Sequence, residues 1–487
     1  MSALSLRSRY INSSWEPILY QLADEEWQGL EDLMRFYGPF GLVRKVSTYF
    51  GAGGTLPTYV AHGEYFDFDH VLRRLTGFTG LGSGVTRTIF GGGKGDSLFR
   101  VFASTLGELV ERVWGSLYYL EKSKHSIFGS YRQLTAQGRP CLSPADLPLF
   151  APEQYLDPDM LFDPFTEDSH LGWIEGRRLF SGESVWVPAQ LVLLYYQIMH
   201  DEAVVGFSTT GGLATHISER EALYHGIVEL FERDAVNVSW YSRLPPAAIE
   251  IDRPVRNPAL RSLMSAAAGL AGSMTFYAHV LDTPEIPVLT VVEIDEWLKR
   301  YSYYSGGGGD LDIDTVMLSS MVEFGQAERN MRLALIAPRW RFARALGHMF
   351  DIEEDAPLRK LNIFFKIVPY YGYKRNAVKM RWYTESGRSV PLSSLPTLED
   401  QSLDARWERL SGILHRHAID PIVFDLTPPQ MTHARLMKAF IPELVPPFPA
   451  STPLLGHPRY YELPRALGRA DHRLEFDELN ADPLPYP

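Results

Sequence analysis

The chain has 487 residues, 45% of them hydrophobic and 22% charged, the make-up of a folded globular protein of two or three domains or one large fold; a disordered or fibrous chain is excluded. Against 59 Asp and Glu stand 47 Lys and Arg, a net charge of −12, so there is no general basic field to make nucleic acid the main partner. Cys141 is the sole cysteine, which rules out an internal disulfide and a cysteine-rich zinc site and fits a reducing compartment.

Residues 1 to about 35 read as a mostly helical extension: Trp27, Leu30, Leu33 and Met34 recur at helical spacing, and Gly38-Pro39 stops the pattern. The start lacks the uninterrupted apolar core of a signal peptide. LVRKVSTYF (42–50) and TYVAHGEYF (58–66) alternate and carry β-branched and aromatic residues, the pattern of strands, and GFTGLGSG (77–84) reads as a loop. Residues 85–240 hold two helices separated by a long irregular stretch, Pro140 to Pro188. The most apolar run, Val185 to Met199, contains Pro188 and Gln190 and is too short to cross a bilayer, so the expectation is a cytoplasmic protein with no membrane partner. MTFYAHVLD (274–282) and PVLTVVEID (287–295) read as strands. YSYYSGGGGDLD (301–312) reads as a mobile loop, because ordering four successive glycines costs much backbone entropy. A helix is predicted from Ile313 to Ala337, then a strand in FKIVPYY (365–371), a helix in ARWERLSGILHRHA (405–418), a strand in PIVFDLT (421–427) and a proline-rich end. Strands and helices mix without a regular βαβ rhythm, so the fold class is α+β. The organisation expected is an extension over 1–35, a core over 36–345 and a C-terminal part over 346–487.

Two familiar patterns fail. GGGKGDS (91–97) is not a phosphate-binding P-loop, since Thr88 and Gly95 stand where that pattern needs Gly and Ser or Thr. DLDID (310–314) opens like a calcium loop but has Thr315 in place of the Gly and Met321 in place of the bidentate Glu.

What survives is a repeated Glu-x-x-Glu-Arg unit. In the first, formed by Glu108, Glu111 and Arg112, the two glutamates lie opposite an apolar stripe of Phe102, Leu106, Leu109, Val110 and Val113. One acidic pair on a helix is ordinarily a solvated face. In the second, formed by Glu229, Glu232 and Arg233, the two glutamates share a face with Glu221 and His225, while Leu223, Ile227, Leu230 and Phe231 form the buried stripe. A third helix offers Glu323 and Gln326 opposite Met317, Met321 and Phe324. Carboxylates on one stripe repel unless cations lie against them. Oxygen ligands without cysteine suit Mg²⁺, which binds through a few carboxylates and substrate phosphates, and Arg112, Arg233 and Lys94 could neutralise phosphate. Two other readings stay open: surface ion pairs worth little, and a di-iron bundle, which wants Glu-x-x-His where His225 follows Glu221 by four.

At these residues the chain resembles the YcaO family. The resemblance is carried by GGGKG with STLGELVER (91–112), by STTGGLATHISEREALYHGIVELFERDA (208–235), by MLSSMVEFGQAER (317–329), and by LGHPRYYELP (455–464) with ELNADPLPYP (478–487). It extends over residues 36–487 and implies an ATP-binding fold of mixed sheets flanked by helices, without a Walker motif. By resemblance, Glu108, Glu111, Glu229, Glu232 and Glu323 hold Mg²⁺; Lys94, Ser208, Glu221, Arg233 and Gln326 contact ATP; and Pro483, Pro485 and Pro487 form the Pro-x-Pro-x-Pro end of azoline-forming members. Two positions depart from the family: Gly211 stands where Asn is common and Ser319 where Arg is usual, with Arg329 and Arg332 as candidate replacements.

The reaction implied is cyclodehydration of a ribosomal precursor peptide, Cys, Ser or Thr closing to thiazoline or oxazoline through a phosphorylated amide oxygen. The terminal carboxylate of Pro487 is the expected base, held by a proline-stiffened tail. The extension of about 35 residues is shorter than the ~50 a domain needs. The resemblance therefore implies a separate ThiF-like, leader-binding partner protein, and it admits a flavin-dependent azoline dehydrogenase and a homodimer. Thioamide formation, or a degenerate scaffold subunit, are the rival readings.

Overall fold

A computed structural model of the chain describes residues 9–11, 17–19, 24–49, 55–65, 91–95, 98–122, 126–198, 201–268, 274–294, 302–336, 352–361, 366–449 and 451–486. Four sheets and eight α-helices of six residues or more are seen among them. A hairpin pairs β1 (Arg9–Ile11) with β2 (Pro17–Leu19) ahead of α1 (Asp24–Met34), so the extension is not helical throughout. A three-stranded antiparallel sheet holds β3 (Val43–Tyr49), β4 (Tyr59–Tyr65) and β5 (Lys94–Gly95). It lies against α2 (Leu98–Lys122). A six-stranded sheet contains β6 (Ile127–Gly129), β7 (Leu171–Arg178), β8 (Ser184–Pro188), β9 (Leu213–His216), β15 (Ile422–Asp425) and β16 (Arg435–Phe440), in the order β6-β7-β15-β16-β9 with β8 also on β7. β7 and β8 fall inside the stretch expected to be irregular. A five-stranded sheet runs β13-β12-β11-β10-β14, from β10 (Ala247–Glu250), β11 (Thr275–Ala278), β12 (Val288–Ile294), β13 (Tyr303–Gly309) and β14 (Ser389–Pro391). The remaining helices are α3 (Tyr131–Ala136), α4 (Glu219–Tyr241), α5 (Pro258–Ala267), α6 (Ile313–Ile336), α7 (Leu403–Arg416) and α8 (Arg459–Ala466). The loop expected at 77–84 lies outside the described residues.

α4 is the axis of the molecule. Ser218 caps it by accepting the Glu221 N–H. Seventeen of its 23 residues are buried, because it packs on both large sheets, on β16 and β9 along one side and β13 and β12 along the other. Asp234 on α4 grips Arg459 at the start of α8 through two bonds of 2.8 and 2.7 Å, and Arg459 also binds Asp282 at 2.8 and 2.9 Å. This planar, multiply bonded pairing ties the C-terminal part to the core.

Two elements differ from expectation. FKIVPYY is no strand: Ile367–Tyr371 is a buried helical turn. The glycine run is no loop: Tyr303–Gly309 pairs with Ile294–Val288 along its whole length. Packing explains it. A Cβ on Gly306 would stand 2.3 Å from the Phe324 N and Ser320 O of α6, and one on Gly309 would stand 3.2 Å from the Glu232 Cβ of α4. Alternate residues of a strand point to opposite faces, so the glycines let a helix approach from each side. DLDID is likewise absorbed locally. Asp312 and Asp314 pair with Arg256 and Arg253, each at 2.7 Å, at the start of α6.

Gly306→Ala is expected to cost about 3 kcal/mol, the upper end for overpacking against rigid backbone, measured by denaturant unfolding. Gly307→Ala, whose Cβ finds its nearest atom at 3.4 Å, is expected to leave stability almost unchanged.

Candidate functional site

Three helices turn their glutamates into one space. On α2, Leu106, Leu109, Val110 and Val113 are fully buried, which directs Glu108, Glu111 and Arg112 the other way. α4 supplies Glu229, Glu232 and Arg233, and α6 supplies Glu323.

Four of the carboxylates accept a backbone N–H from a neighbouring segment. Glu108 takes that of Gly92 at 3.2 Å and also the Arg112 guanidinium at 2.9 Å. Glu111 takes that of Thr215 at 3.0 Å, and Glu229 that of Gly212 at 2.9 Å. Glu323 takes that of Gly307 at 2.7 Å and pairs with Lys94 at 2.5 Å. Arg233 stands 3.9 Å from both Glu229 and Glu232. Glu232 and Glu323 flank Gly307 on the same face, 3.4 and 3.7 Å from where its Cβ would be.

The electrostatics confirm that these groups share one field. Burial pushes the Glu111 carboxyl well above the ordinary range; Arg112 opposes the rise, and Glu108 and Glu229 reinforce it. Burial likewise raises Glu232 to about 7, against Arg233 and with Glu323 and Glu229. Glu323 goes the other way: burial alone would raise it, but Lys94 and then Arg233 outweigh that and hold it below the usual value.

The structure brings together Glu108, Glu111, Glu229, Glu232, Glu323, Arg233 and Lys94, and places Gln326 beside them, its Nε2 3.7 Å from where a Gly92 Cβ would stand. Lys94 joins the cluster through Glu323. Ser208 is not drawn in by any described contact; its hydroxyl donates to Val192 O at 2.9 Å and it is almost fully buried. Glu221 lies two turns before Glu229, about 12 Å along α4, and binds Arg406 at 2.8 Å. Of the candidate replacements for the missing Arg at Ser319, Arg329 donates to Leu56 O at 3.0 Å and Arg332 pairs with Glu328 at 3.0 Å.

Sequence reasoning missed Lys438. It lies on β16, 3% exposed, and donates to Thr209 O at 2.8 Å and Gly211 O at 2.6 Å. Burial draws its ammonium down to about 8, while Glu229 and Glu111 oppose the fall. The one sequence signal was a lysine inside the apolar strand RLMKAF. The departure at Gly211 has a steric cause: a Cβ there would lie 2.1 Å from the Pro447 ring.

The tail is folded in. Tyr303 donates to Pro485 O at 2.7 Å, Tyr371 to Pro483 O, Trp240 to Asp482 O at 2.8 Å, and Leu484 N–H to the Tyr241 hydroxyl at 3.3 Å. Leu484 and Tyr486 are buried in the largest core cluster. Pro487 lies outside the described residues.

The donor set fits a hard divalent cation with phosphate: oxygen ligands only, with guanidinium and ammonium groups beside them. Comparison with known proteins agrees. Residues 92–445 match the family described as YcaO cyclodehydratase, ATP- and Mg²⁺-binding. An uncharacterized protein of Methanothermobacter thermautotrophicus is 28% identical over 277 residues, 56% of this chain and 66% of its own length. A heterocyclase solved with substrate and cofactor superposes with a TM-score of 0.71 at 18% identity, covering 95% of this chain and 57% of that one. YcaO from Methanopyrus kandleri, solved with AMPPCP and Mg²⁺, gives 0.53 at 17% identity, covering 86% and 90%. The E. coli microcin synthetase McbBCD complex with pro-MccB17 bound gives 0.54 at 12% identity, covering 91% and 97%. The chain thus spans little more than half of that first heterocyclase, and the likeness to these structures is one of fold. A family match over residues 92–445 is another matter: the chain belongs to the YcaO family.

Proposed function

We propose that this chain uses ATP and Mg²⁺ to convert Cys, Ser or Thr of a ribosomal precursor peptide into thiazoline or oxazoline. The observation that carries the reading is the convergence of Glu108, Glu111, Glu229, Glu232 and Glu323 with Arg233 and Lys94 in one partly buried space. Glu108, Glu111, Glu229, Glu232 and Glu323 would hold the Mg²⁺, which when bound offsets charge on the transferring phosphoryl group. Arg112, Arg233 and Lys94 neutralise the phosphates. Gln326 would border the nucleotide, whereas Ser208 and Glu221, which the resemblance also assigns to it, are engaged by Val192 O and Arg406.

In the peptide, the thiol or hydroxyl adds to the preceding amide carbonyl and loses its proton. The carbonyl oxygen takes the γ-phosphoryl group of ATP, leaving ADP. Its C–O bond then breaks to release phosphate, and the amide nitrogen gives up its proton as the C=N bond forms. A poor leaving group thus becomes a good one, and the pocket's cations stabilise the charge that develops. Tyr303 and Tyr371 hold the tail by donating to the carbonyls of Pro485 and Pro483, and a carboxylate on Pro487 would take the nucleophile's proton. A ThiF-like partner would present the leader peptide, and a flavin-dependent dehydrogenase would act on the product.

Incubation of the chain, a candidate precursor peptide and a leader-binding partner with Mg²⁺ and ATP is expected to remove one water per ring, read by mass spectrometry. Sulfur replacing oxygen, or no ATP-dependent change with any peptide, would overturn the reading. Removing Pro487 alone leaves the buried Tyr486 and the bonds to Pro483 and Pro485 in place. It is expected to slow cyclisation by about 10²-fold or more with the unfolding temperature unchanged.

Glu232 sets a pH dependence. Its value of about 7 lies above the ordinary 4.5, so the fold favours its neutral form. The stability it contributes is present in acid and is lost as pH rises from about 4.5 to about 7. Mg²⁺ needs the ionised form, so calorimetric affinity for Mg²⁺ with ATP is expected to rise about tenfold from pH 6 to pH 8. The increase in unfolding temperature on adding Mg²⁺ and ATP is expected to be larger at pH 8 as well.

A further inference from the structure

We propose that His216, Glu221 and His225 form a second cation site, suited to Zn²⁺ or a similar transition metal and separate in chemistry from the carboxylate pocket. His216 ends β9; Glu221 and His225 occupy positions i and i+4 on the first turns of α4, on one face of the helix. One ligand atom from each lies within 4.8 Å of the other two. The two imidazole rings stack at 5.0 Å and 20°, and His225 Nε2 stands 3.7 Å from Glu221 Oε2.

Two observations show that this group is prepared for a ligand. Among the described residues, the buried Nδ1 of His216 and the buried Oε2 of Glu221 have no hydrogen-bond partner. Glu221 is only 8% exposed, and a buried carboxylate oxygen left unpaired is costly. Its other oxygen is already fixed: Arg406 donates to Oε1 at 2.8 Å and lies 4.9 Å over the ring of Tyr224. Tyr224 in turn hydrogen-bonds Asp310 at 3.1 Å. Glu221 is thus oriented from behind, as ligating carboxylates are, with its free oxygen turned to the histidines. Arg406 is a cation near the cluster, but its guanidinium is engaged by Glu221 and Tyr224.

The donor set selects the ion. Two imidazoles and one carboxylate match Zn²⁺ and its neighbours, whereas Mg²⁺ takes oxygen ligands. His225 is about half exposed, so the site opens to solvent and leaves a coordination position for water or a ligand.

The test needs no nucleotide and stands apart from the proposed reaction. The full chain is stripped with chelator and titrated with Zn²⁺ by calorimetry in excess Mg²⁺. A parallel titration with Co²⁺ is followed by its visible absorption. One equivalent of Zn²⁺ and the bands of a low-coordinate Co²⁺ site with nitrogen ligands are expected. Both should vanish in His225→Ala, whose exposed side chain can be removed without disturbing the core, and in His216→Ala checked for an unchanged unfolding temperature. No Zn²⁺ uptake in the presence of Mg²⁺, or uptake unchanged in the double variant, would overturn the proposal.

Discussion

Five glutamates held in a mostly buried space are the constraint on which the rest of this molecule depends. Left to themselves, Glu108, Glu111, Glu229, Glu232 and Glu323 would repel one another and resist desolvation. The fold answers with fixed partners: four accept backbone N–H groups from Gly92, Thr215, Gly212 and Gly307, and the cations Arg112, Arg233, Lys94 and Lys438 are set around them. The compensation is incomplete, since Glu111 and Glu232 still have raised pKa values. A divalent cation would relieve that remaining strain, so metal-free stability and metal affinity draw on the same charges.

Bringing those glutamates together requires very close packing. α4 and α6 can both reach Gly307 only because β13 carries no side chains where they approach. Gly211 and Pro447 show the same economy of space: the ring fills the volume that a larger residue would need. Lys438 then holds the carbonyls of Thr209 and Gly211, fixing the segment whose next N–H, from Gly212, binds Glu229. A residue outside the recognisable motif blocks thus helps to set the geometry of one inside them.

The C-terminal tail belongs to the same construction. It is anchored by tyrosines from β13 and from the turn at 367–371 and by Trp240 and Tyr241 at the end of α4. Both ends of the proposed chemistry are therefore mounted on α4 and β13. Tyr303 is about 13 Å along the strand from Gly307. Arg459, clamped by Asp234 and Asp282, locks α8 to α4 just before the tail begins.

Helical periodicity and the repeated Glu-x-x-Glu-Arg unit determined by themselves which side chains would face away from the core, and the strands at 42–50, 58–66 and 287–295 were legible from alternation. These are local patterns, and local sequence carries them. Only the tertiary structure decided that the glycine run is a central strand, since its reason is the nearness of α4 and α6, which the sequence of the run cannot express. It also decided that Glu221 sits with two histidines and Arg406, and that a lysine from β16, more than 200 residues from Thr209, steadies the loop before α4. Contacts between residues so far apart in the chain depend on how the sheets and helices pack, and no spacing along the chain records that.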